Sequence, residues 1–312
     1  MTRVGIVAVS KPIFGGTFQY TVSMIEALQH LRENRYTLYT ERGNDAYDSF
    51  DLPVSRLPSR TAGVLRLLDR AVRGTSSAGL FRDVDKVIAP IYSIHLLASA
   101  RPFAFTLHDL QEKYYPQHFT RAQRAWRHAS GTALSRAATR IVCESQYVKN
   151  DIRRFYRVPD DKVVVIPAPP VSALVHAQAS PAALAEVYRK LSLPEQYLFY
   201  PAQFWAHKNH ARLLDAFAAV VRRFPQCHLV LTGRERDQFS SVMAHAARLG
   251  LRSRLRHLGH LDENELAAVY RRAALLVIPT LFESISIPVY EAFLLGVPVC
   301  AANVVALPEQ IG

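Results

Sequence analysis

Short apolar runs alternate along this chain with longer stretches in which apolar residues recur every three or four positions. Val4-Gly5-Ile6-Val7-Ala8-Val9 is too short for a helix and rich in β-branched residues, so it predicts a buried strand. A turn containing Gly15-Gly16 follows, and Tyr20, Met24, Ile25, Ala27 and Leu28 then recur at helical spacing. Strand, glycine turn and helix in that order open a βαβ unit. The same pattern predicts further strands at 35–40, 86–90, 103–107, 141–143 and 163–166, with an Arg-rich helix between residues 121 and 140.

Pro167-Ala168-Pro169-Pro170 interrupts regular structure, and the Ala/Pro/Ser-rich stretch to about residue 181 reads as a linker. The alternation then restarts, with strands expected at 197–200, 228–232, 254–257, 275–279 and 297–301. Helices are expected between them at 209–224, 238–249, 262–272 and 288–295. Strands that alternate with helices imply parallel sheets covered on both faces. The expected fold class is therefore α/β, with two doubly wound Rossmann-like domains, residues 1–170 and 171–312. Open parallel sheets bind ligands beyond the carboxyl ends of their strands. Two such domains facing each other would set a cleft there.

Length agrees with that division, because 312 residues is roughly twice the comfortable size of one hydrophobic core. A composition that is 49% hydrophobic and 21% charged suits a folded globular chain. Three cysteines, Cys143, Cys227 and Cys300, are too few and too scattered for a disulfide framework or a zinc site and suit a reducing compartment. Apolar stretches such as residues 273–282 fall short of the roughly 20 residues that cross a bilayer. A cytoplasmic location is therefore expected. Charge is less ordinary, at +12. Residues 1–170 hold 24 basic and 15 acidic side chains, a net +9, against 14 and 11 in the remainder, a net +3. Nine basic groups against two acids fall within residues 121–157, and Arg56, Arg60, Arg66, Arg70 and Arg73 surround the apolar run 64–68. Such patches point to an anionic partner. No nucleic-acid-binding motif accompanies them, so no nucleic-acid partner is expected.

Four places just after predicted strands could carry chemistry. In the segment from Phe282 through Glu283, Ser284, Ile285, Ser286, Ile287, Pro288, Val289 and Tyr290 to Glu291, Pro288 suits a helix start, and Gly296 and Pro298 end the helix. Glu283 precedes that helix and Glu291 is expected in its first turn. Free amides at the helix start would attract a phosphate, Glu291 suits a vicinal diol, and Glu283 suits sugar hydroxyls or a developing positive charge. Both acids also fit as ordinary residues favoured by the helix dipole. In Phe204-Trp205-Ala206-His207-Lys208-Asn209-His210, Asn209 is a natural N-cap and Lys208 a point charge for a diphosphate, or a solvated lysine. His207 and His210 lack the partner cluster of a metal site. His108, with Asp109, ends the strand at 103–107 and suits either a substrate contact or a structural role. Gly15, Gly16 and Thr17 form a turn where backbone can approach a phosphate, without the G-x-G-x-x-G or P-loop pattern. Asp83-Val84-Asp85, flanked by Arg82 and Lys86, reads as a solvated turn rather than a cation site.

Taken together these places resemble the retaining, GT-B-fold enzymes of glycosyltransferase family 4. The match is strongest at 282–312, with its Glu-x7-Glu spacing, Gly296-Val297-Pro298-Val299 and Leu307-Pro308-Glu309. The stretch from Pro201-Ala202-Gln203 to His210 is similar to a mannosyltransferase-like subgroup. Gly15-Gly16, His108-Asp109 and residues 158–167 agree in the first domain. The resemblance implies a nucleoside-diphosphate sugar as donor, GDP-mannose first, with no cofactor and no metal. It also implies a glycan or lipid-linked acceptor and retention of anomeric configuration. It places the ribose at Glu291, and the diphosphate and sugar at Lys208 and the amides of Ser284, Ile285, Ser286 and Ile287. Glu283 and His108 would contact the donor as catalytic residues, with Gly15 and Gly16 leaving room near the phosphates. Gln203 stands where the family usually has an Arg, and the chain stops where relatives continue, so an incomplete second domain is expected. A nucleotide-sugar epimerase of the same fold, or an inactive nucleotide-sugar-binding module, are the alternatives. An anionic membrane surface, met peripherally at the inner face, is the partner expected for the basic patches.

Overall fold

The computed structural model describes residues 1–58, 80–169 and 180–312. Arg60, Arg66, Arg70, Arg73, the apolar run 64–68 and residues 170–179 of the expected linker lie outside them. The chain divides into two compact units, Met1–Ala168 and Pro169–Gly312.

The first unit is built on seven strands: β1 (Thr2–Val7), β2 (Asn34–Glu41), β3 (Val54–Leu57), β4 (Lys86–Ala89), β5 (Phe103–Thr106), β6 (Arg140–Cys143) and β7 (Val163–Val165). They lie in the order β3-β2-β1-β4-β5-β6-β7, with every pairing parallel. Its helices are α1 (Gly16–Gln29), α2 (Gln111–Tyr114), α3 (Arg121–Ala137) and α4 (Gln146–Tyr156). Successive side chains of a strand point to opposite faces. Val4, Ile6 and Ala8 therefore pack with Ile25, Leu38 and Tyr47, while Val7 and Val9 pack on the other side with Phe105, Leu134 and Ile141. One apolar run thus serves two cores, which is why it reads as continuous rather than alternating. Strand β3 and helices α2 and α4 are additions to the sequence expectation.

The second unit holds β8 (Tyr197–Pro201), β9 (His228–Thr232), β10 (Leu255–His257), β11 (Leu275–Ile278) and β12 (Val299–Ala301) in the order β10-β9-β8-β11-β12, again all parallel. Its helices are α5 (Pro181–Lys190), α6 (His210–Arg223), α7 (Phe239–Arg248), α8 (Glu263–Arg272), α9 (Ile287–Leu294) and the short α10 (Leu307–Ile311). Helix α5 begins where the linker was expected to end: Ser180 caps it by accepting from the Ala183 amide, and Pro181 occupies its first position. Helix α8 begins with a capping box in which Asp262 and Glu265 satisfy each other's backbone amides. Tyr197, Phe199, Leu229, Val230, Leu231, Leu276 and Val289 form the buried centre.

Strand order locates the ligand-binding edge of each sheet. Connectivity changes direction between β1 and β4 in the first unit and between β8 and β11 in the second. Crevices outside the carboxyl ends of such strands are where open α/β sheets take ligands. Among the described residues no helix is long and apolar enough to cross a membrane.

Candidate active site

In the second unit, the loops after β8 and β11 meet at the switch point. Lys208 ends a short turn, Ala206–Lys208, beyond β8, and its Nζ donates to Glu283 Oε2 at 2.5 Å. Both side chains are mostly buried, at 21% and 15% exposed, so neither is the solvated surface charge that spacing alone allows. The loops are tied together beneath the pair: the Leu281 amide and the Thr280 hydroxyl both donate to the His207 carbonyl. Asn209 sits at the N-cap position of α6 but does not cap it. Its backbone is left-handed (φ 59°), and its amide nitrogen donates instead to the Pro279 carbonyl at 2.9 Å. The expected cap is thus a cross-link between the β8 and β11 loops. His210 is buried and stacked on Phe204, ring centroids 4.4 Å apart, and burial pushes its pKa down to about 3. Among the described residues no group of three or more His, Cys, Asp or Glu is placed to hold a metal ion.

Helix α9 departs from expectation in two ways. It starts at Ile287 rather than Pro288, so Glu291 is its fifth residue and belongs to the second turn, not the first. Glu291 is buried, at 3% exposure, and its Oε2 accepts from the Tyr270 hydroxyl at 2.6 Å. Burial raises its pKa to about 7, although the Tyr270 bond works in the other direction. The second departure concerns the amides. Ser286 donates its backbone N–H to Gln310 Oε1 at 2.9 Å, and Gln310 Nε2 returns a bond to the Ser286 carbonyl. Ser286 is therefore occupied by α10, which leaves Ser284, Ile285 and Ile287 to offer amides at this helix start.

Gln203 is not idle either. Its Oε1 accepts from Arg236 Nε at 2.9 Å, and the Arg236 guanidinium lies 5.1 Å above the Trp205 ring. Sequence spacing held no sign of Arg236, because it follows β9 and reaches Gln203 only through the pairing of β8 with β9.

In the first unit, Gly15 has φ 59° and ψ −115°, a conformation that favours glycine, and it hands the chain into α1 at Gly16. His108 follows β5. Its Nδ1 is 2.9 Å from Glu144 Oε2 and its Nε2 3.1 Å from the Pro90 carbonyl. A carboxylate and a carbonyl both accept, so the ring carries a proton on each nitrogen. Burial opposes that charge, but Glu144 outweighs it and the pKa is raised. Tyr20 of α1 packs edge-on against the His108 ring at 4.8 Å. His108 thus ties the ends of β4, β5 and β6 to the helix that Gly16 begins. Asp109 accepts from Arg127, which also bonds the buried Glu112. Asp83 accepts from the Tyr39 hydroxyl and Asp85 from Arg3, in the turn expected to be solvated; Asp83 is exposed and Asp85 half-exposed. Of the basic cluster at 121–157, Arg127 pairs with Asp109 and Glu112, and Lys149 and Arg153 pair with Asp160; Arg121 and Arg124 are exposed on α3 beside Trp126, itself 48% exposed.

Comparison with known proteins follows the same division. Residues 14–169 match the model of Glycosyltransferase Family 4, and residues 188–312 match that of Glycosyl transferases group 1. The O-antigen chain mannosyltransferase B of Escherichia coli is 28% identical over 212 residues, covering 66% of this chain and 54% of that protein. A D-inositol 3-phosphate glycosyltransferase of Segniliparus rotundus is 30% identical over 175 residues, covering 55% and 38%. The chain thus spans about half the length, or less, of these curated relatives. Among solved structures, Anabaena Alr3699/HepE in complex with UDP and glucose superposes with a TM-score of 0.77 at 19% identity, covering all of this chain and 83% of that one. Sucrose-phosphate synthase of Thermosynechococcus elongatus gives 0.76 at 19% identity, covering 100% and 84%. Two Rossmann-like parallel sheets and GT-B neighbours accompany family models that together take in most of the sequence: the chain belongs to glycosyltransferase family 4.

Proposed function

We propose that this protein transfers a hexosyl unit, mannosyl in the first instance, from a nucleoside-diphosphate sugar to a glycan or lipid-linked acceptor with retention of anomeric configuration. The observation that carries this reading is the Lys208–Glu283 pair at the β8/β11 switch point. It offers a cation to a diphosphate and a carboxylate to a donor sugar from one edge of the sheet. The mannosyltransferase relatives support the choice of sugar, and the UDP complexes of its structural neighbours support a nucleotide-sugar donor.

In this proposal the bond from the anomeric carbon to the diphosphate oxygen breaks as the acceptor oxygen bonds to that carbon. The acceptor's proton passes to the departing diphosphate. Lys208 and the amides of Ser284, Ile285 and Ile287 stabilise the leaving group, a task that needs no cofactor or divalent ion when fixed donors perform it. Glu283 touches the donor sugar and Glu291 takes the ribose diol. His108, a positioned imidazolium, and the Gly15–Gly16 turn are the contributions assigned to the first unit. The exposed Arg121, Arg124 and Trp126 suit an anionic membrane surface, with the protein held peripherally at the cytoplasmic face.

A donor panel scored for nucleoside-diphosphate release, with and without crude lipid-linked or polysaccharide acceptor, tests the reaction. Acceptor-dependent release from GDP-mannose that falls at least a hundredfold in Lys208→Ala and Glu283→Ala is expected, with the product's anomeric coupling unchanged from the donor's. Unaltered turnover in both variants refutes the assignment. Donor conversion without acceptor would instead indicate an epimerase, and tight binding without transfer an inactive module. Sedimentation with vesicles should require anionic lipid and weaken in Trp126→Ala; indifference to lipid charge removes the membrane role.

A further inference from the structure

The segment between β11 and α9 carries most of the donor contacts proposed above, and hydrogen bonds tie it down at both ends. At its start the Thr280 hydroxyl and the Leu281 amide donate to the His207 carbonyl, in the turn that presents Lys208. At its end Ser286, 2% exposed, is bracketed by one side chain. The Ser286 amide donates to Gln310 Oε1 at 2.9 Å, and the Ser286 carbonyl accepts from Gln310 Nε2 at 2.6 Å. A third tie lies between these, where the Ala306 amide donates to the Glu283 carbonyl at 3.3 Å. Ser284 and Ile285 stand between the ties at Glu283 and Ser286, and their amides are two of the three assigned to the diphosphate.

The last two ties both come from the stretch that follows β12. Leu307, fully buried in the core of the second unit, anchors it. Val305, immediately before Ala306, has φ 53°, a left-handed conformation that a β-branched residue adopts only at a cost. Such strain persists where the surroundings over-determine the backbone, and here they include the bonds to Glu283 and Ser286.

The chemistry of the bracket is specific. A glutamine side chain offers a carbonyl and an N–H side by side, so it pairs with the N–H and C=O of one residue as a neighbouring strand would. A carboxylate could accept from the Ser286 amide but would repel the Ser286 carbonyl, and an aliphatic side chain could do neither.

We propose that Gln310 is a positioning residue for the donor: by bracketing Ser286, while Ala306 holds Glu283, it fixes residues 283–286 so that their amides meet a nucleoside diphosphate and the Glu283 carboxylate meets the sugar. The proposal rests on the nucleotide-sugar reading of the Lys208–Glu283 edge. Calorimetric titration of the full chain with GDP and GMP, and with UDP and UMP in parallel, tests it. Gln310→Leu, similar in size and unable to hydrogen-bond, should weaken diphosphate binding about tenfold. Monophosphate binding should stay within about twofold, since the ribose contact assigned to Glu291 lies beyond the bracket. Gln310→Glu should lose diphosphate affinity comparably at pH 8 and recover it as pH falls to 4.5, because a protonated carboxyl both accepts and donates. Glu283, Glu291 and Glu309 titrate in both proteins, so each variant is compared with the unmodified chain at the same pH. Unchanged diphosphate affinity in Gln310→Leu, an equal loss of mono- and diphosphate, or no recovery of Gln310→Glu at low pH overturns the proposal. If Gln310→Leu does not fold, the pH response of Gln310→Glu decides. Lys208→Ala separates the two levels: diphosphate loss there but in neither Gln310 variant defeats this inference alone, whereas no diphosphate binding by the unmodified chain defeats the reading beneath it.

Discussion

Replacing Glu291 with glutamine should make the second unit more stable relative to wild type as the pH becomes alkaline. Glu291 is almost wholly buried, and burial raises its pKa to about 7, against 4.5 for an ordinary glutamate. The folded state therefore holds a proton that the unfolded chain releases between those values. Stability is fullest below about pH 4.5 and declines as pH rises through 7, after which the loss is complete. The interval corresponds to about 3 kcal/mol, of which roughly 2.5 falls between pH 5 and pH 8. A glutamine side chain cannot ionise, and its carbonyl can still accept from Tyr270. Urea unfolding of wild type and Glu291→Gln at pH 5, 6, 7 and 8 isolates the effect, because all other titrations cancel in the difference. Trp205 fluorescence in a Trp126→Phe background reports the second unit alone, since the chain has two tryptophans. The difference should move in the variant's favour by about 2–3 kcal/mol across that range. Parallel stability curves would show that Glu291 is charged at low pH, and the account of its burial would fail.

If a ribose diol donates to the ionised Glu291, GDP should bind up to about tenfold more tightly at pH 8 than at pH 6, with Glu291→Gln removing the part of the trend not due to phosphate titration. Arg127→Ala should destabilise the first unit by about 2–3 kcal/mol, because among the described residues it leaves the buried Glu112 carboxylate with Lys113, 3.9 Å away, as its remaining cation; urea melts followed by Trp126 fluorescence measure this. Gly233→Ala should cost about 2–3 kcal/mol in the second unit, since its Cβ meets backbone rather than a movable side chain, and a loss below about 1 kcal/mol would show that the β8 and β9 loops yield easily.

How far the sequence foretold these features depends on the range of the interaction involved. Continuous apolar runs such as Leu229-Val230-Leu231 reveal strands buried on both faces. Strand β3 escaped because its edge position leaves Val54 and Arg56 exposed, so no such run exists. Helix α4 carried a legible signal, with the Ser145 cap and Val148, Ile152 and Tyr156 buried at helical spacing, hidden within a polar stretch. Lys208 and Glu283 were found because each follows a strand. Their pairing, 75 residues apart, and that of Gln203 with Arg236 depend on β8 lying between β9 and β11, which no local pattern states.

Helix α9 is instructive in another way. It turns Glu291 inward while leaving Phe293 and Leu294 47% and 44% exposed, the reverse of what solvent alone would select. A rule that sorts apolar residues inward must misplace such a carboxyl, and at neutral pH its burial lowers stability. A buried carboxyl that costs stability at neutral pH is a local inconsistency of the kind expected where a residue is kept for binding, which agrees with the ribose role proposed for Glu291. Tyr270 sharpens the point: its hydroxyl is buried and donates to the Glu291 carboxyl at 2.6 Å, so the acid is buried with a hydrogen-bond partner. The burial of this acid and its bond to Tyr270 are what the Glu-x7-Glu spacing could not show.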